Sequence, residues 1–182
     1  MKKKILIGAA AVIVVLAAVF AYLNNRNRTL SPSGSAQLTN GDLSVSITYA
    51  RPSVRGRMIF GTKEQGALQP YGAYWRLGAN ESTEVTFNKD VLFNNNALKA
   101  GTYRVYAIPG ADEFEIIVNT ELGVWGAFEP DHALDILNTK IPVKRTSAPV
   151  EQYTINLLST EDGINISFEW ADVKVVVPVK GQ

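Results

Sequence analysis

The run Tyr153-Thr154-Ile155-Asn156-Leu157-Leu158-Ser159-Thr160-Glu161-Asp162-Gly163-Ile164-Asn165-Ile166-Ser167-Phe168-Glu169-Trp170 decides the fold class. Tyr153, Ile155 and Leu157 alternate with polar residues, and after Glu161-Asp162-Gly163 the alternation resumes at Ile164, Ile166, Phe168 and Trp170. A period of two is the mark of a half-buried strand, because successive side chains leave opposite faces of the pleat. An Asp-Gly pair between two such runs is a hairpin signal, since glycine accepts the positive φ that tight turns need. Downstream, Val173 to Val179 reads as a valine-rich closing strand, and Pro178, lacking an N–H, points to a sheet edge there.

Upstream the same reading repeats. Leu43, Val45, Ile47 and Tyr49 alternate with Ser44, Ser46 and Thr48, and Val85 and Phe87 alternate with Glu84, Thr86 and Asn88. Val91–Phe93, an Asn94-Asn95-Asn96 turn and Ala97-Leu98 predict a small hairpin. Tyr103, Val105 and Ala107 alternate with Arg104, Tyr106 and Ile108, and a Pro109-Gly110-Ala111-Asp112 turn leads back into Phe114–Val118. Only Asp131 to Leu137 suggests a helical turn. Short strands separated by turns predict an all-β antiparallel sandwich of about eight or nine strands, jelly-roll-like or barrel-like packing being the alternatives.

The N-terminal segment is different. Lys2–Lys4 precede an uncharged apolar run from Ile5 to Leu23. That length suits a helix crossing a membrane, and a secretory signal sharing the pattern is the alternative reading. The expected organisation is residues 1–23 as signal anchor or signal peptide, 24–35 as a polar flexible tether, and 36–182 as the β domain. Lysines at the start hold that end inside, so the domain is expected on the non-cytoplasmic side, periplasmic or extracellular, or secreted if the leader is removed. The chain has no cysteine, which excludes disulfides, thiol catalysis and thiolate metal sites.

The formal net charge of +1 conceals a near-neutral domain, because without Lys2–Lys4 there are 15 basic against 17 acidic residues. Nucleic acid is therefore not an expected partner. The charges are unevenly placed. Residues 43–81 carry Arg51, Arg55, Arg57, Lys63 and Arg76 against Glu64 and Glu81, whereas residues 112–135 carry seven acidic groups and no Lys or Arg.

The basic block supplies the candidate site. Guanidinium groups make planar, two-pronged contacts with carboxylates and phosphates, so Arg51, Arg55, Arg57 and Arg76 can grip an anion. Tyr71, Tyr74 and Trp75 offer an aromatic wall, Asn80 and Glu81 can recognise hydroxyls, and Trp125 can supply a sugar platform. The opposing reading is internal: Arg51 or Arg76 pairs with Glu81, and the basic block docks on the acidic stretch. Ligand-binding candidates are Arg51, Arg57, Trp75, Arg76, Asn80, Glu81 and Trp125. Catalytic residues are not identifiable. His132 is the only histidine and reads as a surface residue on an acidic turn; a nucleophile triad through it would lack a Gly-x-Ser-x-Gly elbow. Glu129, Asp131 and Asp135 read as a solvated loop, with a cation site or a carboxylate pair for glycoside hydrolysis as alternatives. No metal site or cofactor pattern is present.

Arg51-Pro52-Ser53, Gly56-Arg57, Ile59-Phe60-Gly61, Pro70-Tyr71-Gly72, Trp75-Arg76 and Gly78-Ala79-Asn80-Glu81 form an ordered motif set. It continues through Ala100-Gly101-Thr102-Tyr103, Ile108-Pro109-Gly110, Asn119 and Trp125-Gly126-Ala127. From Leu38 to Val179 the chain resembles the bacterial domain of unknown function family 2911. The resemblance implies an exported or envelope-attached, all-β domain and carries over no catalytic residue. The leading functional expectation is a non-enzymatic module binding a glycan, an anionic small molecule or a protein. A carboxylate-dependent hydrolase acting on carbohydrate is the alternative, and a structural role at the Pro178 edge a third.

Overall fold

A computed structural model describes residues 2–182. An α-helix, α1 (Lys2–Leu30), is followed by β1 (Ser33–Asn40), β2 (Leu43–Ala50), β3 (Phe60–Gly61), β4 (Gln69–Pro70), β5 (Thr83–Phe87), β6 (Val91–Phe93), β7 (Asn96–Leu98), β8 (Gly101–Ile108), β9 (Glu113–Asn119), β10 (Asp135–Ser159) and β11 (Gly163–Gly181). Nine strands form one antiparallel sheet in the order β1-β2-β5-β8-β9-β10-β11-β6-β7, and β3 and β4 make a separate parallel pair.

β10 organises the fold. It is 25 residues long, and it changes partner on the way, pairing with β9 over Asp135–Pro142 and with β11 from Val143 to Ser159. The ladder to β11 is interrupted between Arg145 and Val150 and again before Thr154. Pro149 falls in the first interruption, where no N–H is demanded of it. The strand thereby serves two halves, β1-β2-β5-β8-β9 and β11-β6-β7, whose inner faces share one core. Val45 and Ile47 of β2, Phe87 of β5 and Ile116 of β9 pack in the same cluster as Ile164, Val175 and Val177 of β11. Tyr49 spans the two halves, its hydroxyl accepting from Ile155 N at 3.1 Å. This is the expected antiparallel sandwich. Asn40 Nδ2 donates to Thr160 O and Gly163 O, 2.8 Å each, but β1 has no ladder to β10 or β11, so no barrel closes.

The alternation read from the sequence holds residue by residue in β2, where Leu43, Val45, Ile47 and Tyr49 are buried. The Tyr153–Trp170 hairpin forms, with Ser159 opposite Ile164. Asn94 and Asn95 make the two-residue turn of β6 and β7 with φ of 45° and 65°, which asparagine tolerates better than most residues.

Elsewhere the structure departs from expectation. The helix runs past the apolar stretch to Leu30, and β1 starts at Ser33, inside the segment expected as a tether. The turn at Asp131–Leu137 shrinks to a 3-10 turn, His132–Leu134, capped by Asp131 Oδ1 on Ala133 N at 2.9 Å. From Asp135 the ladder to β9 takes over. Pro178 does not mark an edge strand, since β11 lies between β10 and β6. Pro178 falls after the last β10 pair at Val175 and before the first β6 pair at Val179, so its missing N–H costs no ladder bond.

The helix has the length and composition to cross a membrane over Ala10–Leu30, with a mean hydropathy of 1.4. Its apolar side chains, Val12–Leu16, Val19, Phe20 and Leu23 among them, are exposed rather than packed on the domain.

Candidate functional site

Residues 51–57 leave β2 and are stitched to β10. Ser53 bridges Gln152, Tyr153 N donates to Pro52 O at 2.8 Å and Val54 N to Glu151 O at 2.7 Å. A turn follows at Arg55 and Gly56, both at positive φ (50° and 68°). Residues 75–82 run along the other side. Trp75 exchanges two 2.8 Å backbone bonds with Ala107 of β8, and Glu81 bridges Trp125, with Gly126 N on Asn80 O at 2.9 Å. Between these segments, below the last turn of α1, lies a cleft of about 360 Å³. It presents Arg55, Arg57 and Arg76, with Asn80 and Trp125 on one wall and Trp170 at its base.

Three guanidinium groups share the cleft, and no Asp or Glu lines it. Each is held by uncharged groups. Arg57 donates to Val54 O (3.0 Å) and Ser53 O (2.6 Å), Arg55 to Leu30 O (3.0 Å) and Arg76 to Asn80 O (3.5 Å). The Leu30 carbonyl belongs to the electronegative end of α1. Among the described residues none of the three forms a salt bridge. Burial pulls the pKa of Arg76 down, the nearby Tyr74 opposes this and Arg104 adds to it. Uncompensated positive charge in a partly desolvated groove is what an anion relieves.

The backbone here is strained. Of six non-glycine residues at positive φ among the described residues, Arg55, Leu77 and Asn80 belong to these two segments. Gly78 has φ of 154°, and a Cβ there would sit 2.9 Å from Ala50 O, so only glycine fits. Such backbone costs about 1–3 kcal/mol per residue and gathers where structure is shaped for a ligand.

The sequence-derived candidates separate. Arg57, Arg76, Asn80 and Trp125 come together in the cleft. Trp75 does not; it is 2% exposed and stacks on Trp170 at 5.9 Å within a cluster that includes Phe60, Phe114 and Tyr153. Neighbours on extended backbone point to opposite faces, so Trp75 enters the core as Arg76 leaves it. Arg51 lies over β10, its guanidinium donating to Tyr153 O (3.5 Å) and Thr154 Oγ1 (3.2 Å). Glu81 ion-pairs with Arg28 of α1, in a second groove holding no further carboxylate. The expected pairing of Arg51 or Arg76 with Glu81 is thus absent.

Arg55, named with the anion-gripping arginines but not among the narrower candidates, also lines the cleft. Trp170 lies in the core, and its Nε1, like Trp75 Nε1 and Tyr153 Oη, is buried with no hydrogen-bond partner among the described residues.

A second polar constellation lies on the outer face of β8. Arg104, 1% exposed, donates to Glu121 Oε2 (2.6 Å), Tyr74 Oη (2.6 Å) and Phe128 O (2.9 Å), and its guanidinium stands 5.8 Å over the Tyr74 ring. Tyr106 Oη donates to Asp135 Oδ2 at 2.8 Å, and His132 Nδ1 lies 3.0 Å from the same oxygen. Asn119 Nδ2 donates to Asp135 Oδ1 at 2.7 Å. These contacts clamp the 120–134 loop over the sheet. Asp131 caps the 3-10 turn, and no cluster of three metal-ligating side chains occurs among the described residues.

The profile of the family described as "protein of unknown function (DUF2911)" matches residues 31–179, from just after α1 to Val179 within β11. No curated protein and no solved structure matches the chain.

Proposed function

Because the chain belongs to the DUF2911 family, whose description carries no activity, we propose from the site itself that it is a membrane-anchored, non-enzymatic module that binds an anionic ligand in the Arg55–Arg57–Arg76 cleft. One observation carries this reading: three arginines face a common space that no carboxylate enters. Carboxylate or phosphate oxygens would accept charge-assisted hydrogen bonds there, each contributing roughly 1.5–3 kcal/mol. Trp125 gives the non-ionic part of such a ligand an apolar surface.

A neutral glycan is less well served, because the Asn80 amide already donates to Ser31 O at 3.0 Å and Glu81 faces Arg28 in another groove. The same placement weakens the hydrolase reading, which needs two carboxyls facing each other across one cleft. The exposed apolar face of α1 and the basic start of the chain support anchoring, with the domain outside the cytoplasm.

The test is titration of the full chain, in neutral detergent, with inorganic phosphate and with a tricarboxylate, followed by calorimetry and thermal shift. Binding by the native chain that is lost in Arg57→Gln/Arg76→Gln, with the melting temperature of the unliganded protein preserved, is expected. Equal affinity in both proteins, or none in either, would sink the proposal.

A further inference from the structure

The cleft and its surroundings sit at a defined height on α1, and that height names the ligand. The apolar run ends at Leu23, and the cleft is roofed by Asn27, Leu30 and Ser31. At about 1.5 Å per helical residue, the arginines lie within roughly 10 Å of the end of the hydrocarbon-compatible stretch. The headgroup layer is itself roughly 5–7 Å deep on each side of a bilayer. The roof begins at Asn27, about 6 Å beyond Leu23, so the cleft opens at the outer edge of that layer, next to the lipid phosphates.

The domain reaches still closer through the loop after β9. A groove of about 530 Å³ is bounded by Phe20, Leu23, Asn24 and Asn27 of α1 and by Trp125 and Phe128 of the loop. Trp125 and Phe128 therefore stand level with the last apolar turn of the helix. Phe128 is 73% exposed, although its carbonyl is pinned by the buried Arg104 and its amide by Trp125 O at 3.3 Å. A large apolar ring held out by a loop that is hydrogen-bonded at its backbone, with a tryptophan three residues before it, has the composition of an interfacial anchor. Arg26 follows the apolar run directly and adds positive charge at the same level, while Arg28 beside it is taken by Glu81.

We infer that the Trp125–Phe128 loop seats in the headgroup layer beside α1 and that the arginine cleft takes the phosphate of an anionic phospholipid. The inference rests on the anchored, anion-binding reading above and commits its ligand to the membrane rather than to solution. Phe128 and Trp125 supply apolar contact, and Arg55, Arg57 and Arg76 supply charge; the two together fix how the domain leans on its own anchor.

The cysteine-free chain allows single labels. Full-length Val14→Cys, Phe128→Cys and Leu158→Cys, spin-labelled and reconstituted in bilayers of phosphatidylcholine with increasing phosphatidylglycerol, report depth through accessibility to oxygen and to a water-soluble nickel chelate. Val14 is expected in the hydrocarbon, Leu158 in water, and Phe128 shielded from the chelate at the interface. Shielding at Phe128 should strengthen with phosphatidylglycerol. The fraction of that lipid needed should rise roughly fivefold for each arginine removed in Arg55→Gln and Arg57→Gln. A Phe128 label as wet as that at Leu158, with Val14 still buried, overturns the docking alone. Shielding indifferent to phosphatidylglycerol, in a protein that binds free phosphate, overturns the lipid as ligand and leaves the anion cleft. A Val14 label in water overturns the anchor and this inference with it.

Discussion

Two arginine sites in this domain make opposite use of the same side chain. Arg104, on β8, is fully buried and meets a carboxylate, a phenol and a carbonyl within 2.9 Å. Arg55, Arg57 and Arg76 share one groove and meet carbonyls alone. Where the fold supplies the counter-charge, the guanidinium is a structural bolt. Where it withholds one, the charge is left without a counter-charge among the described residues.

The contrast can be broken most forcefully at Arg104. Arg104→Met should cost about 3 kcal/mol of folding stability in denaturant unfolding, since it strands Glu121 and frees the 121–128 loop; a loss under about 1 kcal/mol would make the bolt dispensable. Gly78→Ala comes next, at about 2 kcal/mol, because the added methyl meets the Ala50 carbonyl at an unfavourable φ. An unchanged unfolding midpoint would show that the strained turn relaxes freely. Arg76→Gln sharpens the comparison from the other side. Its stability should stay within about 0.5 kcal/mol of the native protein, while anion affinity measured by calorimetry falls about tenfold or more. A clear drop in melting temperature there would instead make Arg76 a second bolt.

The smallest effect is that of pH. Hydrogen bonds from Lys89, Lys99 and Lys180 hold Asp42, Asp90 and Asp162 below the usual carboxylate range. A folded pKa below the unfolded one contributes stability above about pH 4 that is lost as pH falls through the folded value. Burial, foremost, pushes up the Tyr106 and Tyr153 hydroxyls, and a hydrogen bond to Asp135 adds to the rise at Tyr106. Their contribution is present below about pH 10 and fades as pH rises past it. Melting temperature should therefore be flat from about pH 5 to 9 and drop on both sides. A step inside that window would reveal a titrating group outside both sets.

The strands were legible wherever one face is buried, because burial of one face imposes the period of two seen at Leu43–Tyr49 and Ile164–Trp170. β1 was not: Ser33, Ser35 and Gln37 sit on a half-exposed edge where no apolar pattern is required. The first half of β10 escaped for a related reason, since its exposed residues exceed its buried ones. For the site, the four arginines were visible as a block. Their division was not, because whether neighbours such as Trp75 and Arg76 share a surface depends on a backbone direction that only the pairing with β8 fixes. The expected ion pair with Glu81 failed because the helix, read as ending near Leu23, continues and brings Arg28 to that carboxylate first.

The partner change within β10 has a consequence for measurement. A strand that completes both halves of the sandwich leaves neither half able to detach while the other persists, so amide exchange in β9 and β11 should report a single opening free energy. The Ser53–Gln152 bridge ties one wall of the cleft to that strand, and Trp170 at its base belongs to β11. Occupancy of the cleft should then slow exchange across the whole domain, from a site that touches only one end of it.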